Sequence, residues 1–181
     1  MRKKRLLFFI TLLFLLISFI IFTFKFGPEY IVNLIGLENT YLVIFIVAII
    51  GGVSAITSTS FYALFITFIM GGANPVLLIF LGGLGLTIGD SVFFYLGYKG
   101  REVALKSRFR ERILLITNWL KKHSKKFIFG ISYIYVAFSP FPKDILSSIL
   151  GLSNFSFRYS IIAFLFGNIT HCFIITLFLL I

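Results

Sequence analysis

The stretch VAFSPFPKDILSS, from Val136 to Ser148, decides how this chain is read. It interrupts an otherwise apolar run with two prolines, Pro140 and Pro142, followed at once by Lys143 and Asp144. Each proline removes a backbone donor and pushes the residue before it out of helical geometry. The 12 residues from Phe127 to Phe138 make about 18 Å of helix, well short of the roughly 30 Å hydrocarbon core of a bilayer. The expectation is a bend part-way through a membrane, with a lysine and an aspartate beside it.

The membrane itself follows from composition. Of 181 residues, 59% are apolar and only 13% are charged, with 25 phenylalanines. Mean hydropathy is +1.05. A soluble core of this size could not hide that much apolar surface, so lipid must cover it. The formal net charge of +11 would suggest nucleic acid in a soluble chain. Here it reads as cytoplasmic loop charge, with no nucleic-acid partner. Cys172 is the single cysteine and reads as a packed hydrophobe. His123 and His171 have no metal-ligand spacing with it.

Working outward, Leu6 to Phe24 reads as an uncleaved spanning helix behind four basic residues. Residues 1–40 then form an N-terminal anchor with an outer loop. Residues 41–181 form the membrane domain: a re-entrant segment 41–73, a span 75–98, a basic cytoplasmic segment 99–126, a second re-entrant segment 127–152 and a last span 160–181. The charge pattern dictates this division. Ten basic residues lie between Lys99 and Lys126, and they belong inside with the N-terminus. Tyr41 to Gly72 must then start and finish outside, with its bend near Ser54 to Ser60. Arg158 prefers the inside, so Phe127 to Leu152 also returns to the side it left. One kinked spanning helix is the alternative for that segment.

Shifting the chain by 80 residues lays TSFYALFITFIMGGAN (Thr59 to Asn74) over SPFPKDILSSILGLSN (Ser139 to Asn154) and matches Gly71 to Gly151 and Asn74 to Asn154. The fold class expected is therefore an all-α integral membrane protein: an N-terminal spanning helix, then an inverted repeat of two units, each a re-entrant helical hairpin followed by a spanning helix.

Asp90 lies nine residues before Lys99, about 13 Å into the membrane. An acid at the centre of a span costs about 2.5–3.5 kcal/mol on insertion scales. It reads either as a proton-binding or headgroup-binding acid in a wet cavity, or as a partner of a bend tip or of Lys143. Lys143 and the helix start behind Pro142 suit an anion such as a phosphate headgroup. Alternatively, Asp144 caps that helix and Lys143 reaches toward the interface. His171 either pairs with Asp90 or is a buried neutral ring. The headgroup or transport candidates are Asp90, Lys143, Asp144, Pro140, Pro142 and Arg158. Gly82, Gly85, Gly89 and Gly151 are read as helix-packing positions. REVALKSRFRERILLITNWLKKHSKK places Leu105, Phe109, Ile113, Ile116 and Leu120 on one helical face, with Trp119 and cations suited to the membrane surface and to anionic headgroups.

The order GDSVFFYLGYKG, basic stretch, SPFPKDILSSILGLSNFSFRYSIIAFLFGN resembles the DedA family, also called the VTT or SNARE-associated Golgi domain family, over roughly Gly51 to Ile181. The resemblance implies two re-entrant hairpins meeting in the cell membrane and movement of phospholipid or lipid-carrier headgroups between leaflets. The residues themselves offer no nucleophile–base pair, metal cluster or phosphate-cradling loop, so no enzymatic step and no cofactor are expected, and a homo-oligomer stays open. Bacterial members commonly carry acids in the first hairpin and arginines around the second proline. Here Gly51 to Gly72 is uncharged, and no arginine lies between Arg112 and Arg158. A proton-coupled small-solute carrier using Asp90 and a non-transporting scaffold are the rival readings.

The charge argument makes a direct prediction. With Cys172 removed, a cysteine at Ser107 is labelled by an impermeant maleimide only after the inner face is exposed. Labelling from outside on intact cells would reverse the topology.

Overall fold

The structure, a computed structural model, describes residues 25, 27–52, 55–139 and 141–181. The expected first helix at Leu6 to Phe24, Ser54 in the first bend, and Pro140 lie outside the described residues. The rest is helical: α1 Pro28–Ile35, α2 Leu37–Gly51, α3 Ala55–Met70, α4 Pro75–Leu105, α5 Arg110–Lys122, α6 Lys125–Phe138, α7 Lys143–Leu152 and α8 Phe157–Leu180. Two of these, α4 and α8, are long and apolar enough to cross a membrane, and α1 with α2 makes a third candidate if that bent pair counts as one span. The protein is an all-α membrane protein on this pattern. On α4 the exposed side chains Leu77, Phe80, Leu84, Ile88 and Val92 recur at helical steps and form an apolar outer stripe.

Several boundaries differ from the sequence reading. The break expected before Tyr41 holds α1, which starts at Pro28 in the position that tolerates a missing N–H and turns by 97° into α2. The span expected to stop at Tyr98 continues to Leu105, because Lys99 to Leu105 contains no breaker strong enough to end a helix already propagating. It stops where Ser107 Oγ accepts from the N–H of Phe109. The basic segment is thus divided among the end of α4, α5 and the start of α6. The last span starts at Phe157 rather than Ser160.

Around α4 the chain forms two hairpins. The first, α2–α3, opens at the Pro75 end of α4, where Tyr41 Oη accepts from the N–H of Asn74 at 2.9 Å. α2 then runs beside α4 in the same direction. A Cβ on Gly85 would lie 2.5 Å from the Cβ of Ala48, and one on Gly89 would lie 2.5 Å from the carbonyl oxygen of Ile49. Gly52, at the break, approaches Leu86, Gly89 and Asp90 closely enough that no side chain fits. A Cβ on Gly82 would press on the Phe61 ring of α3 at 3.0 Å.

The second hairpin, α6–α7, comes from the other end of α4. A Cβ on Gly151 would collide with the carbonyl oxygen of Phe94, and one on Gly97 with that of Ser148, so α7 lies backbone to backbone on α4. α6 runs beside α8 in the same direction. Gly167 of α8 makes room for Val136, and His171 reaches Ala137. α8 crosses α4 in the opposite direction, with Phe94 beside Phe157 at 5.3 Å between ring centroids. Both breaks therefore arrive at the level of Asp90. That residue lies at the middle of α4, fifteen positions from each end.

The turns leading into α4 and α8 have the same construction. The N–H of Ala73 bonds to the carbonyl of Phe68 and that of Gly72 to Ile69; the N–H of Phe155 bonds to Leu150 and that of Asn154 to Gly151. Each pair is the double bond pattern that closes a helix through a left-handed residue, here Gly72 at φ 86 and Asn154 at φ 54. Glycine and asparagine are the residues that take this conformation most readily. These turns match at an offset of 82, as do the helix starts at Pro75 and Phe157, and not at the 80 that the sequence suggested. The apparent match of Asn74 to Asn154 pairs unlike roles. Asn74 is the N-cap of α4, its Oδ1 accepting from Val76 and Leu77, whereas Asn154 is the left-handed residue of the other turn.

The α2–α4 seam yields a stability prediction. Gly85→Val forces a branched side chain into backbone contact and lowers stability by about 1–3 kcal/mol or more. Leu84→Ala on the exposed stripe stays within about 0.5 kcal/mol. Thermal unfolding of the detergent-solubilised variants, followed by size-exclusion retention, checks both.

Candidate functional site

A cavity of about 260 Å³ opens where the two breaks meet. Gly52, Ser58 and Thr59 line it from the first hairpin, and Phe141, Lys143 and Asp144 from the second. Asp90 of α4 and His171 of α8 complete its wall.

Each break finds side-chain partners for its backbone. At the first, α2 ends with carbonyls that no longer have helical partners. Thr57 Oγ1 donates to the carbonyl of Ile50 at 2.8 Å, and Ser58 Oγ donates to that of Gly51 at 2.7 Å. The hydroxyl cluster in GGVSAITSTS thus ties the start of α3 back to the end of α2. At the second, the N–H of Phe141 donates to Ser139 Oγ, and Tyr135 Oη donates to the carbonyl of Pro142. His171 Nδ1 lies 2.9 Å from the carbonyl of Ala137. A carbonyl only accepts, so Nδ1 carries the proton. The imidazole caps the broken helix and does not pair with Asp90.

At the back of the cavity is a chain of three side chains. Lys143 Nζ donates to Asn168 Oδ1 at 2.9 Å, and Asn168 Nδ2 donates to Asp90 Oδ2 at 2.8 Å. The same Nδ2 lies 3.2 Å from Thr87 Oγ1, whose proton goes to the carbonyl of Gly83. Asp90 and Asn168 are essentially inaccessible, at 1% and 0% exposure. The cation and the carboxylate are thus joined through an amide that presents its oxygen to one and its nitrogen to the other.

Of the candidates, Asp90, Lys143, Asp144 and Pro142 come together at the cavity. Asp144 holds the N–H of Ile145 with Oδ1 at 3.1 Å, a first-turn role. Arg158 does not join them. It is exposed in the first turn of α8, ten residues before Asn168, which is about 15 Å along the helix. Sequence reasoning missed Asn168 and Tyr62. Asn168 had a usable signal: a lone amide in FLFGNITHCF is expensive in a span unless it is bonded.

The chain matches no protein-family profile, no curated protein and no solved structure.

The bridging amide carries the next prediction. Asn168→Leu strands a buried ammonium and a buried carboxylate and lowers stability by about 3–5 kcal/mol. Adding Asp90→Leu and Lys143→Met to that variant recovers a measurable part of the loss, because an apolar replacement no longer buries unpaired charge. Unfolding midpoints of the three proteins in one detergent decide it.

Proposed function

We propose that this protein is a DedA-like, multi-pass protein of the cell membrane that lets phospholipid or lipid-carrier headgroups move between leaflets through the cavity at Asp90. The observation that carries this reading is the coincidence of two chain breaks, a charged hydrogen-bond chain and a cavity at the midpoint of a spanning helix. A polar headgroup crosses lipid slowly because its charges lose water. Hydroxyls, an ammonium and carboxylates at that depth lower the loss without making or breaking a bond. Irregular backbone at mid-membrane depth is tolerated where it borders such a cavity.

The inverted repeat belongs to the same proposal. Its support is the pairing of α2 with α4 and of α6 with α8, each pair running in one direction and the two pairs in opposite directions. The shared turn geometry at an offset of 82 adds to it. On this reading the N-terminus is cytoplasmic, and α5 lies on the inner leaflet. Its inward face buries Ile113, Thr117 and Leu120, while Leu115 and Trp119 are exposed among Arg112 and Lys122. That mixture of apolar, indole and basic groups suits anionic headgroups.

Purified protein in liposomes bearing a tail-labelled phospholipid should equilibrate the leaflets without an energy source. Asp90→Asn and Lys143→Ala each slow that movement about tenfold or more, since either change leaves a partner of Asn168 uncompensated. Wild-type rates in both variants refute the proposed path. Movement seen only with an imposed pH gradient would favour the proton-coupled carrier.

A further inference from the structure

The charged side chains at the cavity are two carboxylates and one ammonium: Asp90, Asp144 and Lys143. Their arrangement reverses what Lys143 alone suggests. Its ammonium is turned to the back wall, where Asn168 takes it, and Asp90 is committed to the same amide. Asp144 is different. It is half-buried on the cavity wall, and only its Oδ1 has a partner, the N–H of its neighbour Ile145. Among the described residues, Oδ2 has no hydrogen bond. Two aromatic rings line the same space, Tyr62 and the 67% exposed Phe141.

A cavity that holds a carboxylate with a free oxygen together with aromatic rings is a surrounding that attracts an ammonium group, primary or quaternary. A second net negative charge brought against Asp144 and Asp90 meets repulsion that one inward-turned lysine does not cancel. A group carrying both signs fits: its cation meets Asp144, and with its own charges balanced it brings no net negative charge to be repelled.

We infer that the cavity selects zwitterionic, ammonium-bearing headgroups of the phosphocholine or phosphoethanolamine kind over net-anionic ones, and that Asp144 is the selecting residue. This rests on the reading of the cavity as a lipid path, but binding can be measured without movement.

The test uses the full chain in a neutral detergent and follows thermal stabilisation by three probes: dihexanoyl phosphatidylcholine, dihexanoyl phosphatidylglycerol and glycerophosphocholine, which has the headgroup without chains. The surface cations act equally on wild type and on Asp144→Asn, so the readout is the change between the two proteins. Asp144→Asn is expected to shift apparent affinity about tenfold away from phosphatidylcholine relative to phosphatidylglycerol, and Asp144→Glu to keep the wild-type preference. An unchanged preference in Asp144→Asn overturns the inference, as does a wild-type preference for phosphatidylglycerol that Asp144→Asn leaves in place. An Asp144-dependent shift with phosphatidylcholine, in a protein that moves no lipid in liposomes, upholds the selectivity and removes the lipid path. The same shift with glycerophosphocholine alone upholds it too, and points to a free ammonium solute as cargo.

Discussion

A single amide holds the centre of this molecule. Asn168 presents its oxygen to a lysine and its nitrogen to an aspartate, so one uncharged side chain serves both charges from separate atoms. Either charge alone at that depth would be costly to bury. Because Lys143 starts α7, Asp90 sits on α4 and Asn168 sits on α8, the same two bonds fix how three helices meet. The glycine seams at Gly85, Gly97 and Gly151 then bring backbones close enough for those side chains to reach.

The two hairpins close their breaks by different means. The first uses its own sequence, with hydroxyls from the start of α3 reaching back to the end of α2. The second borrows from α8, whose His171 takes the carbonyl of Ala137. The cavity is lined by both solutions, and this is why its wall mixes hydroxyls, an imidazole and charges within an apolar shell.

Part of the fold was legible because it follows from single-residue physics. Pro140 and Pro142 announce a break, and α6 ends at Phe138 before α7 begins at Lys143. Asp90 stood out because an acid in an apolar run must have a partner. What the sequence could not say was which partner, since Asn168 is 78 positions away and nothing local links them. The residue match at an offset of 80 did not carry over to the turns: the left-handed residues Gly72 and Asn154, whose backbone angles no alignment of letters displays, lie 82 apart. Helix ends were displaced for a similar reason. Charge marks where a helix should leave lipid, but α4 continues past Lys99 because leaving lipid does not require it to unwind.

The contrast between the two breaks bears on how the chain is made. Synthesis runs from the N-terminus at roughly 5–20 residues per second, so Gly51 and Gly52 leave the ribosome roughly 2–8 s before Gly89, against which Gly52 finally packs. During that interval the first hairpin lacks α4 to lean on, and its two hydroxyls are already within eight residues of the carbonyls they serve. The second hairpin follows α4 in the chain, and its histidine partner, 34 positions beyond the carbonyl it meets, is translated later still.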